Sequence, residues 1–124
     1  MIPNIITKEF LNSNSNYVFV FGDNLLRKGY GGAAELRDLP NTYGFITKKK
    51  PTNENNAFYK PDEYFPVYCN EVMKLGAEMI KHQDKTYLIS KLGFGLANRY
   101  HIWEKVVSLF IKDLSALGKV KFLF

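Results

Sequence analysis

The 124 residues contain one cysteine, one tryptophan and two histidines. The lone Cys69 excludes an intramolecular disulfide, and nothing around Cys69 or His82 suggests a catalytic Cys–His pair. No apolar run is long enough to span a bilayer, and no stretch reads as a secretory leader. The expectation is a cytoplasmic protein with no membrane partner. Repeats and low-complexity segments are missing, as is any linker able to separate two domains, so residues 1–124 read as one domain. The common phosphate-binding fingerprints are missing too. "GYGGAAE" lacks the G-x-G-x-x-G spacing, and no G-x-x-x-x-G-K-[ST] run occurs. No pattern assigns a metal or a cofactor.

What is present is an ordinary globular composition, 46% hydrophobic and 23% charged, in a chain long enough to bury a core without disulfides. Eight Tyr and ten Phe supply both core residues and potential stacking surfaces. A net charge of +5 favours anionic partners without naming them. The densest basic run, Lys48-Lys49-Lys50, is too short to define a nucleic-acid tract and reads first as a solvated strand end.

Periodicity predicts strands at 17–21, 43–47, 86–90 and 119–124. Between them come a short helix at 31–38, a long helix from about residue 61 to 81, and another over 101–117 capped by Gly118. The second helix carries an apolar stripe of Phe65, Tyr68, Val72, Leu75 and Met79. The third carries Ile102, Val106, Phe110, Leu114 and Leu117. "LNSNSN" (11–16) reads as a polar break. "NNAFYKPDEYF" (55–65) reads as a loop, either packed through Phe58 and Phe65 or closing over a ligand with Tyr59. Strands alternating with helices predict a three-layer α/β fold whose sheet is mostly parallel or mixed.

Two glycine-rich segments, "GDNLLRKGYGGAA" and "KLGFGLANR", each leave the carboxyl end of a predicted strand and enter a helix. In a parallel sheet both lie on one rim, where backbone N–H groups can approach an anion closely. Glycine in a turn is the plainer reading of either loop alone. Asp23 and Asn24 read equally as an Asx turn and as acceptors for a base or ribose. Asn98 and Arg99 either cap the last helix or, through the Arg99 fork, hold a phosphate.

These two loops, with "GYGGAAELR" and "YLISKLGFGLANRYHIWEKVVSLFIKDL", resemble those of macrodomains. That resemblance implies binding of ADP-ribose or a related nucleotide between the loops. It matches Asn24, Gly29, Gly31, Gly32 and Ala33 to the first loop. Ser90, Gly93, Phe94 and Gly95 match the second, with Phe94 similar to the aromatic placed near the distal ribose. "FGDN", "TKK" and "YKPDEY" also resemble segments of short phage-type proteins without an assigned activity.

The candidate binding set is then Gly22, Asp23, Asn24, Gly29, Gly31, Gly32 and Ala33 from the first loop. The second contributes Ser90, Gly93, Phe94, Gly95, Leu96, Asn98 and Arg99. Were the ligand hydrolysed, Asn24 would hold the water and Asp23 would be the general base. The leading expectation is a protein that binds, sequesters or hydrolyses an anionic nucleotide. The alternatives are a nucleic-acid module using the lysine run and exposed tyrosines, or a non-catalytic interaction protein.

Overall fold

The computed structural model describes residues 2–124. Its centre is a four-stranded sheet of β1 (Tyr17–Asn24), β2 (Thr42–Lys48), β3 (Thr86–Ile89) and β4 (Lys119–Phe122). The order is β2-β1-β3-β4, and all three pairings are parallel. The fold is therefore α/β with an all-parallel sheet. No helix among the described residues is long and apolar enough to cross a membrane.

The alternation of β1 decides the layering. Val18 and Val20 face one core with Tyr87 and Ile89 of β3, while Phe19 and Phe21 face another with Leu88. The first core is closed by helix α2 (Pro61–Lys81) and by the C-terminal helical run at 103–116. The second is closed by helix α1 (Lys8–Ser13) and the 3₁₀ turn Gly32–Leu36.

The "LNSNSN" break conceals the end of α1. Thr7 caps that helix by accepting from the Phe10 N–H at 3.1 Å. Asn41 Nδ2 then donates to the carbonyls of Leu11, Asn14 and Tyr17, tying the helix to the start of β1.

The long helix spans 61–81 as expected, but its buried stripe is Tyr64, Tyr68, Leu75 and Met79, with Phe65 exposed. Tyr64 and Glu71 explain the displacement, because α2 covers the free edge of β2. Glu71 Oε1 accepts the Ile46 N–H at 2.6 Å, and the Tyr64 hydroxyl donates to the Ile46 carbonyl at 2.6 Å. An outer strand that would otherwise offer pairing groups is thereby sealed. Replacing Tyr64 with Phe leaves a buried carbonyl without its partner, so denaturant unfolding should show a loss of about 1–3 kcal/mol.

The C-terminal run departs further from a regular helix. Trp103–Val107 is π-helical, Ser108–Phe110 is α-helical and Ile111–Ala116 is 3₁₀. Ile102, Val106 and Leu114 of the expected stripe are buried, but the wide π turn brings Val107 and Ile111 to the core beside them and leaves Phe110 and Leu117 exposed.

Candidate functional site

Connections from β1 lead one way to β2, and the chain then returns past β1 to β3. The sheet order therefore reverses between β1 and β3, which pair directly in register from Tyr17↔Thr86 to Val20↔Ile89. A crevice opens beyond the carboxyl ends of these two strands, as parallel α/β sheets provide at such a reversal. It encloses about 530 Å³.

The first wall is the loop leaving β1, which runs three residues past the expected strand end. Asn24 organises it as an Asx turn. Its Oδ1 accepts the Leu26 N–H at 3.1 Å, and its Nδ2 donates to the Lys28 carbonyl at 2.7 Å.

Asp23, buried beneath the loop, anchors it through two arginines. Arg37 donates to both carboxylate oxygens, at 2.7 and 3.1 Å, and Arg27 reaches Oδ2 at 3.2 Å. The Asn24 N–H also donates to Oδ1 at 2.8 Å. Burial raises the Asp23 pKa, but the Arg37 hydrogen bonds, the Asn24 N–H and the arginine charges outweigh it, holding the carboxyl below its ordinary value of 3.8. Arg37 extends the same clamp to the carbonyls of Gly29, at 2.7 Å, and Lys28, at 3.1 Å. A Cβ at Gly44 would collide with Asp23 Oδ2 and Arg27 Nη1, so glycine there makes room for the ion pair.

This arrangement changes the expected roles of the polar pair. Asp23 and Asn24 both border the crevice, yet their side chains are engaged in holding the loop. A carboxylate held ionised by two guanidiniums has little proton affinity to offer as a general base.

Above that anchor the backbone is open. The N–H groups of Gly29, Tyr30, Gly31, Gly32 and Ala33 find no acceptor among the described residues. Gly29 and Gly32 have φ of 95° and 59°, in the left-handed region that favours glycine. Gly31 has an extended backbone, and a Cβ at 31 or 32 would meet nothing within 4 Å.

The second wall follows β3. Ser90 Oγ donates to the Val20 carbonyl at 2.8 Å, fastening this loop to β1. Gly93, with φ of 83°, sits tightly against Ile102 and Val107. Lys91 places its ammonium 3.7 Å from the Phe94 ring centroid.

Of the residues named from sequence, Gly22, Asp23, Asn24, Gly29, Gly31, Gly32, Ala33, Ser90, Gly93, Phe94 and Leu96 line the crevice. Gly95, Asn98 and Arg99 do not. Asn98 caps the C-terminal run, its Oδ1 accepting the Trp103 N–H at 2.9 Å and its Nδ2 donating to Glu104 at 2.6 Å. Arg99 stacks on Phe58, 4.2 Å from the ring centroid, and donates to the Asn53 carbonyl and Asn55 Oδ1. It ties down the 51–57 segment. Tyr59, the aromatic of the imagined flap, is a core residue 5.3 Å from the Tyr64 ring.

Sequence reading missed the lysines of the crevice. Lys28, Lys48 and Lys91 line it, and Asp23 is the one carboxylate in its wall, already paired twice. Lys48 has its pKa lowered by burial and by the charge of Arg99. Lys49 pairs with Glu63 at 3.0 Å. A second hollow of about 460 Å³ shares Gly32, Ala33, Ser90 and Lys91 with the crevice. It continues toward Asn4, Ile5, Ile6, Phe19, Glu35 and Leu123, a lining of mixed polarity.

A family model matches residues 1–98, which include both crevice walls and all of the crevice-lining residues. The chain belongs to a family of unknown function, DUF7831. No curated protein and no solved structure matches it. Relative to that DUF7831 span, the C-terminal helical run and β4 lie outside the matched residues. Among the described residues, no group of three or more His, Cys, Asp and Glu side chains could hold a metal ion.

Proposed function

We propose that the crevice binds an ADP-ribose-like or related anionic nucleotide between the two glycine loops, in a macrodomain-like manner. The observation that carries this reading is the pairing of two compartments on one rim. One offers Lys28 and Lys91, with Lys48 tied by its Nζ to the Thr52 carbonyl at 2.8 Å, and a run of unpartnered backbone N–H groups for phosphate. The adjoining one offers Ile5, Ile6, Phe19 and Leu123 for a ring, with Asn4 and Glu35 in the same lining as polar groups. A bare anion would use only the first compartment.

Binding or sequestration fits the residues better than hydrolysis, because Asp23 and Asn24 are already engaged as the loop's anchor and turn. Thermal shift with ADP-ribose, NAD, ADP and inorganic phosphate tests the reading. ADP-ribose or a close relative should stabilise the protein at concentrations where phosphate does not, following the mass-action dependence on free ligand. Lys28 is an exposed cation at the mouth of the crevice. Lys28→Ala should weaken binding about twofold to fivefold, and the difference should shrink as salt rises. Equal shifts with phosphate and the nucleotides would reduce the site to a general anion site.

A further inference from the structure

Along the same rim, a row of aromatic rings starts at the crevice wall and runs outward onto residues that the nucleotide site does not use. The rings of Phe94, Trp103, Phe124 and Phe122 follow one another at centroid separations of 6.3, 5.3 and 5.6 Å. Phe94 is 51% exposed and Phe124 is 42% exposed, while Trp103 and Phe122 are partly buried against the core, so Phe94 and Phe124 are the rings open to solvent. Lysines lie along it. Lys91 sits 3.7 Å from the Phe94 centroid and 5.1 Å from that of Trp103. Lys112 sits 4.1 Å from Phe122 and 4.6 Å from Phe124. The neighbouring carboxylate, Glu104, is engaged by the Asn98 amide.

We propose that this aromatic–lysine track binds single-stranded nucleic acid. Its chemistry matches that polymer on both counts, since exposed rings offer surfaces for bases and the interleaved ammoniums answer the phosphates. An apolar protein partner would be poorly served by two ammoniums lying on the rings. Charge complementarity therefore favours a polyanion with flat groups. Stacking of bases on rings, with ammoniums answering the backbone, is sequence-tolerant recognition. The track is distinct from the crevice, sharing only Lys91 and Phe94 with its wall. Tyrosines have no part in it: Tyr59, Tyr64, Tyr68 and Tyr87 are buried, and the exposed Tyr30 lines the crevice instead.

The test uses the intrinsic emission of Trp103, the chain's one tryptophan. Titration of the whole protein with short oligothymidylate and oligouridylate at low salt should quench that emission saturably. Raising the salt should weaken the apparent affinity steeply. Phe124→Ala and Lys112→Glu, both outside the crevice, should each weaken oligonucleotide binding about fivefold or more. Phe124→Tyr, which keeps a ring, should bind nearly as wild type. Thermal shift with ADP-ribose should be unchanged in all three, so failure of the track and failure of the crevice reading remain distinguishable. Melting temperatures identify any variant that fails to fold, and Lys112→Glu, altering an exposed charge, gives the decision if Phe124→Ala does. The proposal is overturned if oligonucleotides change neither Trp103 emission nor the anisotropy of a labelled strand. Binding that is indifferent to both substitutions also overturns it. So does a response confined to anionic vesicles or to self-association.

Discussion

Replacing Asp23 with Ala should cost about 3–5 kcal/mol of unfolding free energy, measured by denaturant titration, because it strands a nearly buried guanidinium. The Arg37 side chain is 11% exposed, and the Asp23 carboxylate accounts for its bidentate ion pair. The same substitution releases the Lys28–Gly29 carbonyl clamp indirectly, so nucleotide binding should fall with stability. Asp23→Asn keeps the shape but removes the charge and should lie between wild type and Asp23→Ala.

A pH dependence accompanies this ion pair. The Asp23 carboxyl has a depressed folded pKa, so its stabilisation is fully present above the ordinary value of 3.8 and is lost as pH falls through the lower folded value. Wild type should therefore lose more stability on acidification below that point than Asp23→Ala does. Equal acid sensitivity in the two proteins would show that the pair contributes little to the folded state.

Gly31→Val should abolish or weaken nucleotide binding by tenfold or more while leaving the melting temperature close to wild type. Residue 31 has φ of −76° and ψ of 141°, which valine adopts readily, and its Cβ would enter open space. A branched side chain there obstructs the approach of phosphate to the loop N–H groups, where each charge-assisted hydrogen bond contributes about 1.5–3 kcal/mol. Gly32→Val is a poorer probe, because φ of 59° makes valine strained whether or not a ligand binds. It should lower both the melting temperature and the affinity. Paired thermal shift and titration on the two variants separates the obstruction from the strain. Unchanged affinity in Gly31→Val would remove the first loop from the binding site.

The rim was legible in the sequence because it depends on local signals. A β-branched or aromatic run passing toward a glycine-rich loop marks a strand to within a few residues, β1 running through Gly22 to Asn24, and alternation with helices makes the sheet parallel, so Gly31 and Ser90 come to adjacent walls. Lys28 and Lys91 escaped notice, and Lys48 read as a solvated strand end, because side-chain convergence is not local. Lys28, Lys48 and Lys91 are far apart in sequence and meet only through the strand order. Arg37 was hidden for the same reason, since its partner lies 14 residues away on β1. Helix faces were misread where polar groups took apolar positions, as Glu71 and Tyr64 did to seal β2. A period of 3.6 likewise cannot foresee the π turn at Trp103–Val107, which moves burial from Phe110 to Ile111. Asn98 and Arg99 had two chemically sound uses, and the Trp103 N–H and the Phe58 ring took them.

Calorimetric titration of the full chain with ADP-ribose tests the central claim most directly. Saturable binding at one site per chain, lost in Gly31→Val at unchanged melting temperature, is the predicted result. The absence of saturable heat with ADP-ribose, NAD or ADP at millimolar concentration would contradict it and leave the glycines as turn residues of an interaction protein.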